Sequence, residues 1–289
     1  MTRGELTSEL AASLGLRHEA RFIIEEVLGT PDSHWSQTVG TADVATIRTF
    51  AERRRAGEPL QYIFGHWPFR GVDLLVDGRV LIPRPETEYV VEVVLAELDQ
   101  VGSASPLIVD AGTGSGAIAL SLAVELPSRI PGARLWATDS SADALDVAVE
   151  NLTRVKRAHR APLVPLEFRH GLWLSPLPQE LCGFVNLIVS NPPYVAKEEW
   201  LDLPHDVRCE PFGALVADDA SDGPAGLGDV EQVLTEAWTW LARPGVVVIE
   251  LAPAQAEAAV RLARALGYVE VRVDQDLAQR PRVLVGRAR

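Results

Sequence analysis

Ser190-Asn191-Pro192-Pro193-Tyr194 follows the apolar run Asn186-Leu187-Ile188-Val189. Two consecutive prolines after a strand fix a rigid, extended turn and leave carbonyl oxygens without competing donors. The side-chain oxygen of Asn191 and the carbonyl of Pro192 can together accept both N–H groups of a planar NH₂. That arrangement suits a nitrogen whose lone pair is delocalised, as in an amide or an exocyclic amine. Holding both N–H bonds polarises such a nitrogen and aims it at an electrophilic methyl. The positive charge that grows on the nitrogen is stabilised by the same two oxygens, so positioning and electrostatics replace a strong base. Pro193 stiffens this turn, and Tyr194 is expected to lie along the flat acceptor group. An ordinary turn after a strand is the competing reading, and only the surrounding motifs weigh against it.

Those motifs begin with Val109-Asp110-Ala111-Gly112-Thr113-Gly114-Ser115-Gly116-Ala117, which joins an apolar strand to a helix. Gly112, Gly114 and Gly116 let the chain turn sharply and approach a ligand, with Thr113 and Ser115 between them and free N–H groups at the helix start. The GxGxG spacing is neither the GxGxxG dinucleotide fingerprint nor a phosphate loop. A diphosphate needs a cradle of N–H groups, whereas an adenosyl–amino acid ligand mainly needs room. Asp139 stands 25 residues after Gly114 at the tip of the next strand, where doubly wound folds hydrogen-bond a ribose diol. It also stands where it would cap the helix beginning near Ser141; beside the glycine loop, the ribose role is favoured. Asp110 either receives the ammonium of a bound amino acid or braces the loop.

The elements that must hold these residues follow from periodicity. Leu6, Leu10 and Leu14 recur at helical spacing, as do Ala20, Ile23, Ile24, Val27 and Leu28, and then Val44, Ile47, Phe50 and Ala51. Thr41 or Asp43 would cap the third helix, and Gly29 and Gly57 would stop helices. Leu74-Leu75-Val76 and Arg79-Val80-Leu81-Ile82 flank Asp77-Gly78, which predicts a hairpin. Pro83 and Pro85 then end regular structure. Beyond Glu86 the pattern alternates: helices over 87–98, 117–125, 142–157, 230–241 and 255–266, and strands over 107–111, 134–138, 163–168, 185–190, 246–251, 268–273 and 283–286. Continuous apolar strands alternating with helices indicate a parallel sheet covered on both faces. The last two strands lack an intervening helix and should pair antiparallel near an edge.

Composition narrows the class. The chain has 289 residues, 47% of them hydrophobic, which supplies a sizeable core. No apolar run approaches membrane-spanning length and the first ten residues lack a signal-peptide core, so a soluble cytoplasmic protein is expected. Cys182 and Cys209 stand alone, and the six histidines form no ligand pair, so neither a disulfide nor a metal is expected. A net charge of −13 argues against direct nucleic-acid binding, because such a surface repels phosphate. The basic clusters at 53–55 and 154–160 fall at the ends of helices, where cations meet the negative end of the dipole.

Taken together, the chain resembles the peptide-chain release-factor N5-glutamine methyltransferases across nearly its whole length. The matching segments are Gly57-Glu58-Pro59-Leu60-Gln61-Tyr62-Ile63, Leu81-Ile82-Pro83-Arg84-Pro85-Glu86-Thr87-Glu88, Asp110 to Gly116, Asp139, Ser190 to Tyr194, Glu210-Pro211 with Ala214-Leu215, and Arg282-Val283. The stretch from Leu81 to Glu88 is the most specific of these. The resemblance implies an α/β fold, a Rossmann-like seven-stranded class I methyltransferase sheet over 87–289, preceded by a helical substrate-recognition domain over 1–58 and a β-hairpin linker over 59–86. It implies S-adenosylmethionine as donor and, as acceptor, the glutamine in the Gly-Gly-Gln tip of class 1 release factors. By the same carry-over, Arg84, Pro85 and Glu86 lie at the mouth of the site with Glu88 close behind.

Three departures from the family pattern stand out. Gly171-Leu172-Trp173 replaces the usual acid before an aromatic, leaving Leu172 to pack on the adenine ring. Asn186 stands where an aspartate commonly precedes the strand. The stretch 216–227 is looser than the usual glycine-rich version, which points to a mobile loop. Alternative readings are a glutamine methyltransferase acting on a ribosomal protein, an amino-group methyltransferase acting on nucleic acid, and an inert adaptor that retains the fold. Donor binding by the purified protein separates the last from the others.

Overall fold

The helical pattern before residue 60 folds as written, in a computed structural model that describes residues 1–30, 34–221 and 223–289. Helix α1 (Arg3–Leu14) opens on a capping box, in which the Thr2 hydroxyl accepts from the Glu5 N–H and the Glu5 carboxylate accepts from the Thr2 N–H. Helices α2 (Arg17–Leu28) and α3 (Thr41–Arg55) follow, then the short α4 (Leu60–Phe64). Gly29 ends α2 at φ 62, as its position suggests. The N-cap of α3 is Gly40, however, with neither Thr41 nor Asp43 capping it, because the helix already includes both. Leu6, Ile23, Ile24 and Ile47 are fully buried and form the centre of this bundle.

The chain divides into two compact units, Met1–His66 with Pro204–Cys209, and Trp67–Leu203 with Glu210–Arg289. In the first unit Arg54 joins Glu19 at 2.7 Å and Asp206 at 3.2 Å, which fastens the returning segment to α3. Residues 59–86, read as one linker, do not form one element: α4 belongs to the first unit, and residues 67–86 belong to the second.

The second unit begins with a hairpin displaced from the predicted one. Its strands are β1 (His66–Phe69) and β2 (Val72–Leu75), turning at Arg70-Gly71 with Arg70 at φ 50. Glu88 accepts the Arg70 N–H at 3.0 Å, and Glu125 binds the guanidinium, so acids elsewhere in the unit hold that strained turn. Asp77-Gly78 does turn the chain, with the Val80 N–H on the Asp77 carbonyl at 3.1 Å. The segment after it pairs with no strand, because the Ile82 N–H donates instead to the Glu210 carboxylate at 2.9 Å.

Next come α5 (Pro85–Val101), β3 (Leu107–Ala111), α6 (Ala117–Glu125), β4 (Arg134–Asp139), α7 (Ala142–Ala158), β5 (Leu166–His170) and β6 (Val185–Ser190). Then follow α8 (Phe212–Leu215), α9 (Gly228–Trp240), β7 (Leu241–Glu250), α10 (Ala256–Leu266), β8 (Val269–Gln275) and β9 (Pro281–Ala288). Strand β5 starts three residues later than its apolar pattern suggests, because Pro162 and Pro165 cannot donate to a ladder. One seven-stranded sheet results, ordered β5-β4-β3-β6-β7-β9-β8. Strands β3 to β7 run parallel, and β9 pairs antiparallel with both β7 and β8, which leaves β8 at the edge. The strand order reverses at β3, whose tip Ala111 is level with Thr138 of β4 and Ser190 of β6. The loops after those three strands therefore face one crevice, the place where ligands bind open α/β sheets. Asn186 helps hold this register, its Oδ1 accepting the Leu107 N–H at 2.9 Å. Among the described residues no helix is long and apolar enough to cross a membrane.

Candidate active site

A cavity of about 460 Å³ opens above β3, β4 and β6. One wall is the glycine loop. The N–H groups of Gly112 and Thr113 both donate to the Thr138 carbonyl at 2.9 Å, which ties the loop to the end of β4. Gly112, Gly114 and Gly116 all have positive φ, at 78°, 56° and 84°. A Cβ at Gly112 would come within 3.0 Å of the Trp173 ring, and one at Gly116 within 3.0 Å of Leu120. A Cβ at Gly114 would meet nothing within 4 Å, so this glycine faces open space. Gly112, Thr113, Gly114 and Ser115 line the cavity; Gly116 packs behind them.

Asp139 lines the same wall. Its Oδ2 accepts the Gly114 N–H at 2.8 Å and its Oδ1 the Ser141 N–H at 2.9 Å. The capping hydroxyl of α7 belongs to Ser141, which accepts the Ala144 N–H at 3.2 Å. Burial raises the Asp139 pKa, opposed by the N–H groups of Ser141 and Gly114. An ionised carboxylate has lone pairs beyond the two in use, and those remain for a diol. Asp110 is placed differently. It is wholly buried and outside the cavity lining, and its Oδ2 accepts the Thr113 hydroxyl at 2.7 Å and the Ala119 N–H at 3.1 Å. Of its two readings, the contacts are those of a brace. Its Oδ1 is buried without a partner, and burial pushes its pKa up to about 7 against the two hydrogen bonds.

Gly171 explains the missing acid. Its φ is 154°, and a Cβ there would fall 2.8 Å from Pro176. A side chain does not fit, and the adjacent Leu172 lines the cavity while Trp173 seats the loop at Gly112. S-adenosylmethionine fits what is present: the open face of Gly114, the spare lone pairs of Asp139 and the apolar surface of Leu172.

The opposite wall is formed by Asn191, Pro193, Arg84 and Thr87. Asn191 Nδ2 donates to the Thr87 hydroxyl at 3.3 Å, and among the described residues none bonds its Oδ1. Pro192 is buried and outside the lining. Tyr194 also differs from expectation, since its ring does not line the cavity. It is sunk beside Glu250, Arg282, Arg84 and Glu86, and burial pushes its phenol up to about 12. Of Arg84, Pro85 and Glu86, only Arg84 reaches the cavity. Its guanidinium pairs with the buried Glu210 carboxylate, which fixes the segment ending at Pro85. Pro85 is exposed as the first residue of α5, and Glu86 lies 4.0 Å from Arg282, behind the wall. Glu88 is further back, holding the Arg70 turn. The stretch 216–227 is tied at several points: Gly226 donates to Asp219 and Gln255 donates to the Gly226 carbonyl. Asp222 of that stretch lies outside the described residues.

Two residues at this wall, Thr87 and Glu250, have no site role in the sequence motifs. Thr87 looked like a helix start, yet its hydroxyl holds Asn191. Glu250 is the single charge within the apolar run 246–251, and a lone acid in a buried strand is itself a signal. It is fully buried with neither oxygen hydrogen-bonded in good geometry. Burial pushes it up to about 7; the Thr87 hydroxyl and Arg282 partly offset this. Among the described residues no group of side chains gathers to hold a metal.

Two family models match the chain, the PrmC N-terminal domain over residues 4–65 and the methyltransferase small domain over residues 88–206. A release factor glutamine methyltransferase of Bordetella pertussis is 40% identical over 97% of this chain and 98% of its own. One of Moorella thermoacetica is 44% identical over 80% of this chain and 75% of its own. A methyltransferase structure from Pyrococcus furiosus, 17% identical, superposes with a TM-score of 0.51 over 75% of this chain and 89% of that one, a likeness of fold.

Proposed function

The chain belongs to the release factor glutamine methyltransferase family, and from that membership we propose that it methylates the glutamine side-chain nitrogen in the Gly-Gly-Gln tip of class 1 release factors. The observation that carries this reading is the pairing at Asn191. With Nδ2 bound to Thr87, the amide oxygen is left for an N–H donor at the cavity. S-adenosylmethionine supplies an electrophilic methyl when bound at the Gly114 and Asp139 wall. Asn191 Oδ1 and the Pro192 carbonyl accept the two N–H bonds of the glutamine amide, holding its nitrogen in line. As that nitrogen gains positive charge, both oxygens stabilise it through bonds already in place, with no reorganisation needed at the moment of transfer. An N-protonated amide is a strong acid, so its excess proton is then lost to water and the neutral N-methyl amide is released. Arg84, anchored by Glu210, supplies a fixed cation at the acceptor wall.

The helical unit is the part we assign to recognising the protein substrate, and the whole reaction belongs to the cytoplasm, where translation ends. The test is mass spectrometry of an unmethylated class 1 release factor after incubation with this protein and S-adenosylmethionine. A gain of about 14 Da on the Gly-Gly-Gln glutamine, one added CH₂, is expected. A modified ribosomal-protein glutamine or nucleic-acid base instead, with no gain on the release factor, overturns the assignment. A chain lacking residues 1–56 should lose the preference for the intact factor over a free Gly-Gly-Gln peptide.

A further inference from the structure

For Asn191 to accept a substrate N–H, its oxygen and not its nitrogen must point into the cavity. The two ends of a carboxamide are nearly equal in size and shape, so packing alone selects neither. The inner end meets the Thr87 hydroxyl at 3.3 Å. A hydroxyl is itself two-faced, able to accept from an amide nitrogen or donate to an amide oxygen. Thr87 can therefore fix the amide only if its own proton is committed elsewhere.

Behind Thr87 lies Glu250, at the end of β7. It is wholly buried, and the Thr87 hydroxyl is near enough to favour its ionised form. Among the described residues it forms no ion pair. The nearest buried arginine, Arg282, instead donates to the Leu251 carbonyl at 3.3 Å and sits 3.7 Å from Asp276 and 4.0 Å from Glu86. A carboxylate buried with both oxygens unbonded is costly, and one that faces the catalytic asparagine through a single hydroxyl calls for a reason. An ionised carboxylate can only accept.

We propose that Glu250 is a positioning residue that takes the Thr87 proton, which obliges the Thr87 oxygen to accept from Asn191 Nδ2 and so turns Asn191 Oδ1 toward the acceptor nitrogen. The relay has one polarity, from Asn191 through Thr87 to Glu250, and the carboxylate sets it. This inference rests on the reading of Asn191 as the acceptor of the substrate amide. The groups facing Glu250 are Arg84, Glu86 and Thr87 around the start of α5, Arg282 of β9, and Tyr194 after β6. Tyr194 stays neutral across the working range. Glu250 itself is pushed up to about 7 by burial, so it changes charge near neutrality. Once protonated it can donate to Thr87, and the direction of the relay is lost. The turnover rate should therefore fall as pH drops through that range.

The test measures turnover on the unmethylated release factor against pH, with donor affinity taken separately by calorimetry, for Thr87→Val, Thr87→Ser, Glu250→Gln and Asn191→Ala. Thr87→Val and Glu250→Gln should each lower kcat about 10- to 100-fold, the scale of a small misplacement of the reacting group, with donor Kd unchanged. Thr87→Ser, which keeps the hydroxyl, should restore most of the rate. Glu250→Gln should also lose the limb of the pH profile near neutrality, since its amide can both donate and accept. Full activity in Thr87→Val, a Thr87→Ser enzyme as slow as Thr87→Val, or a Glu250→Gln profile like the parent's would each overturn the relay. If Glu250→Gln does not fold, Thr87→Val decides alone: severed from the carboxylate it must lose the same limb, and an unchanged limb sinks the proposal. An inactive Asn191→Ala beside a fully active Thr87→Val removes the relay while sparing the acceptor reading. A fully active Asn191→Ala removes the acceptor reading itself.

Discussion

On the donor wall of the cavity the fixing contacts involve the main chain: the Gly112 and Thr113 N–H groups on the Thr138 carbonyl, and the Gly114 N–H on Asp139. On the acceptor wall they run between side chains: Asn191 on Thr87, Thr87 beside Glu250, Arg84 on Glu210. The donor wall is built mainly from one strand, one loop and one helix in unbroken sequence, joined by the end of β4. The acceptor wall draws on the start of α5, the segment after β6, residue 210 and the end of β7. A ligand gripped by backbone depends on the shape of the chain, whereas an amide oriented through a hydroxyl and a buried carboxylate, as proposed for Asn191, depends on which groups carry protons. Changes on the two walls should accordingly separate into effects on binding and effects on rate.

The sharpest break is at Asn191. Asn191→Ala should lower kcat by about 10²- to 10³-fold, the usual cost of one preorganised hydrogen-bonding group at a developing charge. Donor Kd, measured by calorimetry, should hardly move. Equal losses of rate and donor affinity would mean that the two walls are one site. Asp139→Ala is the mirror image. Removing a charged acceptor costs about 1.5–3 kcal/mol, so donor Kd should rise by about one to two powers of ten. Turnover at saturating donor should hold. Unchanged donor binding would reduce Asp139 to tying Gly114 and Ser141 together.

Legibility in the sequence followed the same division. Strand β3 and α6 follow their local hydrophobic pattern, and their bounds are where periodicity puts them. Strand β6 was readable for the same reason. The hairpin was not, because its turn at Arg70 depends on Glu88 and Glu125, acids that a local reading cannot bring to it. Asp77-Gly78 supplied turn chemistry without a pairing partner. Thr87 and Glu250 were invisible as site residues because their meaning lies in each other, at opposite ends of the domain sequence. Tyr194 was readable as an aromatic beside the turn, but its burial against Glu250 and Arg282 depends on strands β7 and β9.

Gly171 tests whether the donor wall is governed by backbone shape where the family pattern has a side chain. Gly171→Asp restores the usual acid, yet it must adopt φ near 154° with its Cβ 2.8 Å from Pro176. The strain and the clash should cost about 1–3 kcal/mol of stability, read in a denaturant titration. Donor affinity should not improve. Tighter donor binding with unchanged stability would show that this wall can be built from side chains after all.

The smallest effect separates bracing from binding at Asp110. Its folded pKa, near 7 against an ordinary 3.8, is raised by burial, so the stability tied to its neutral form is complete below about pH 3.8 and is lost progressively as pH rises to about 7. Asp110→Asn cannot ionise. Its amide oxygen keeps the bonds from Thr113 and Ala119, but its NH₂ takes the place of an oxygen that has no partner. That buried donor should cost about 1–3 kcal/mol at every pH, while the parent alone loses stability as pH rises from the ordinary 3.8 to about 7, where the unfolded carboxyl is ionised and the folded one is not. The gap in melting temperature between parent and variant should therefore be widest below about pH 3.8 and narrow toward about pH 7. Donor affinity should stay close to the parent's throughout, because Asp110 lies outside the cavity lining. A gap that stays constant with pH would mean that the carboxyl does not change charge in this range. A large loss of donor affinity would move Asp110 from the brace into the binding wall.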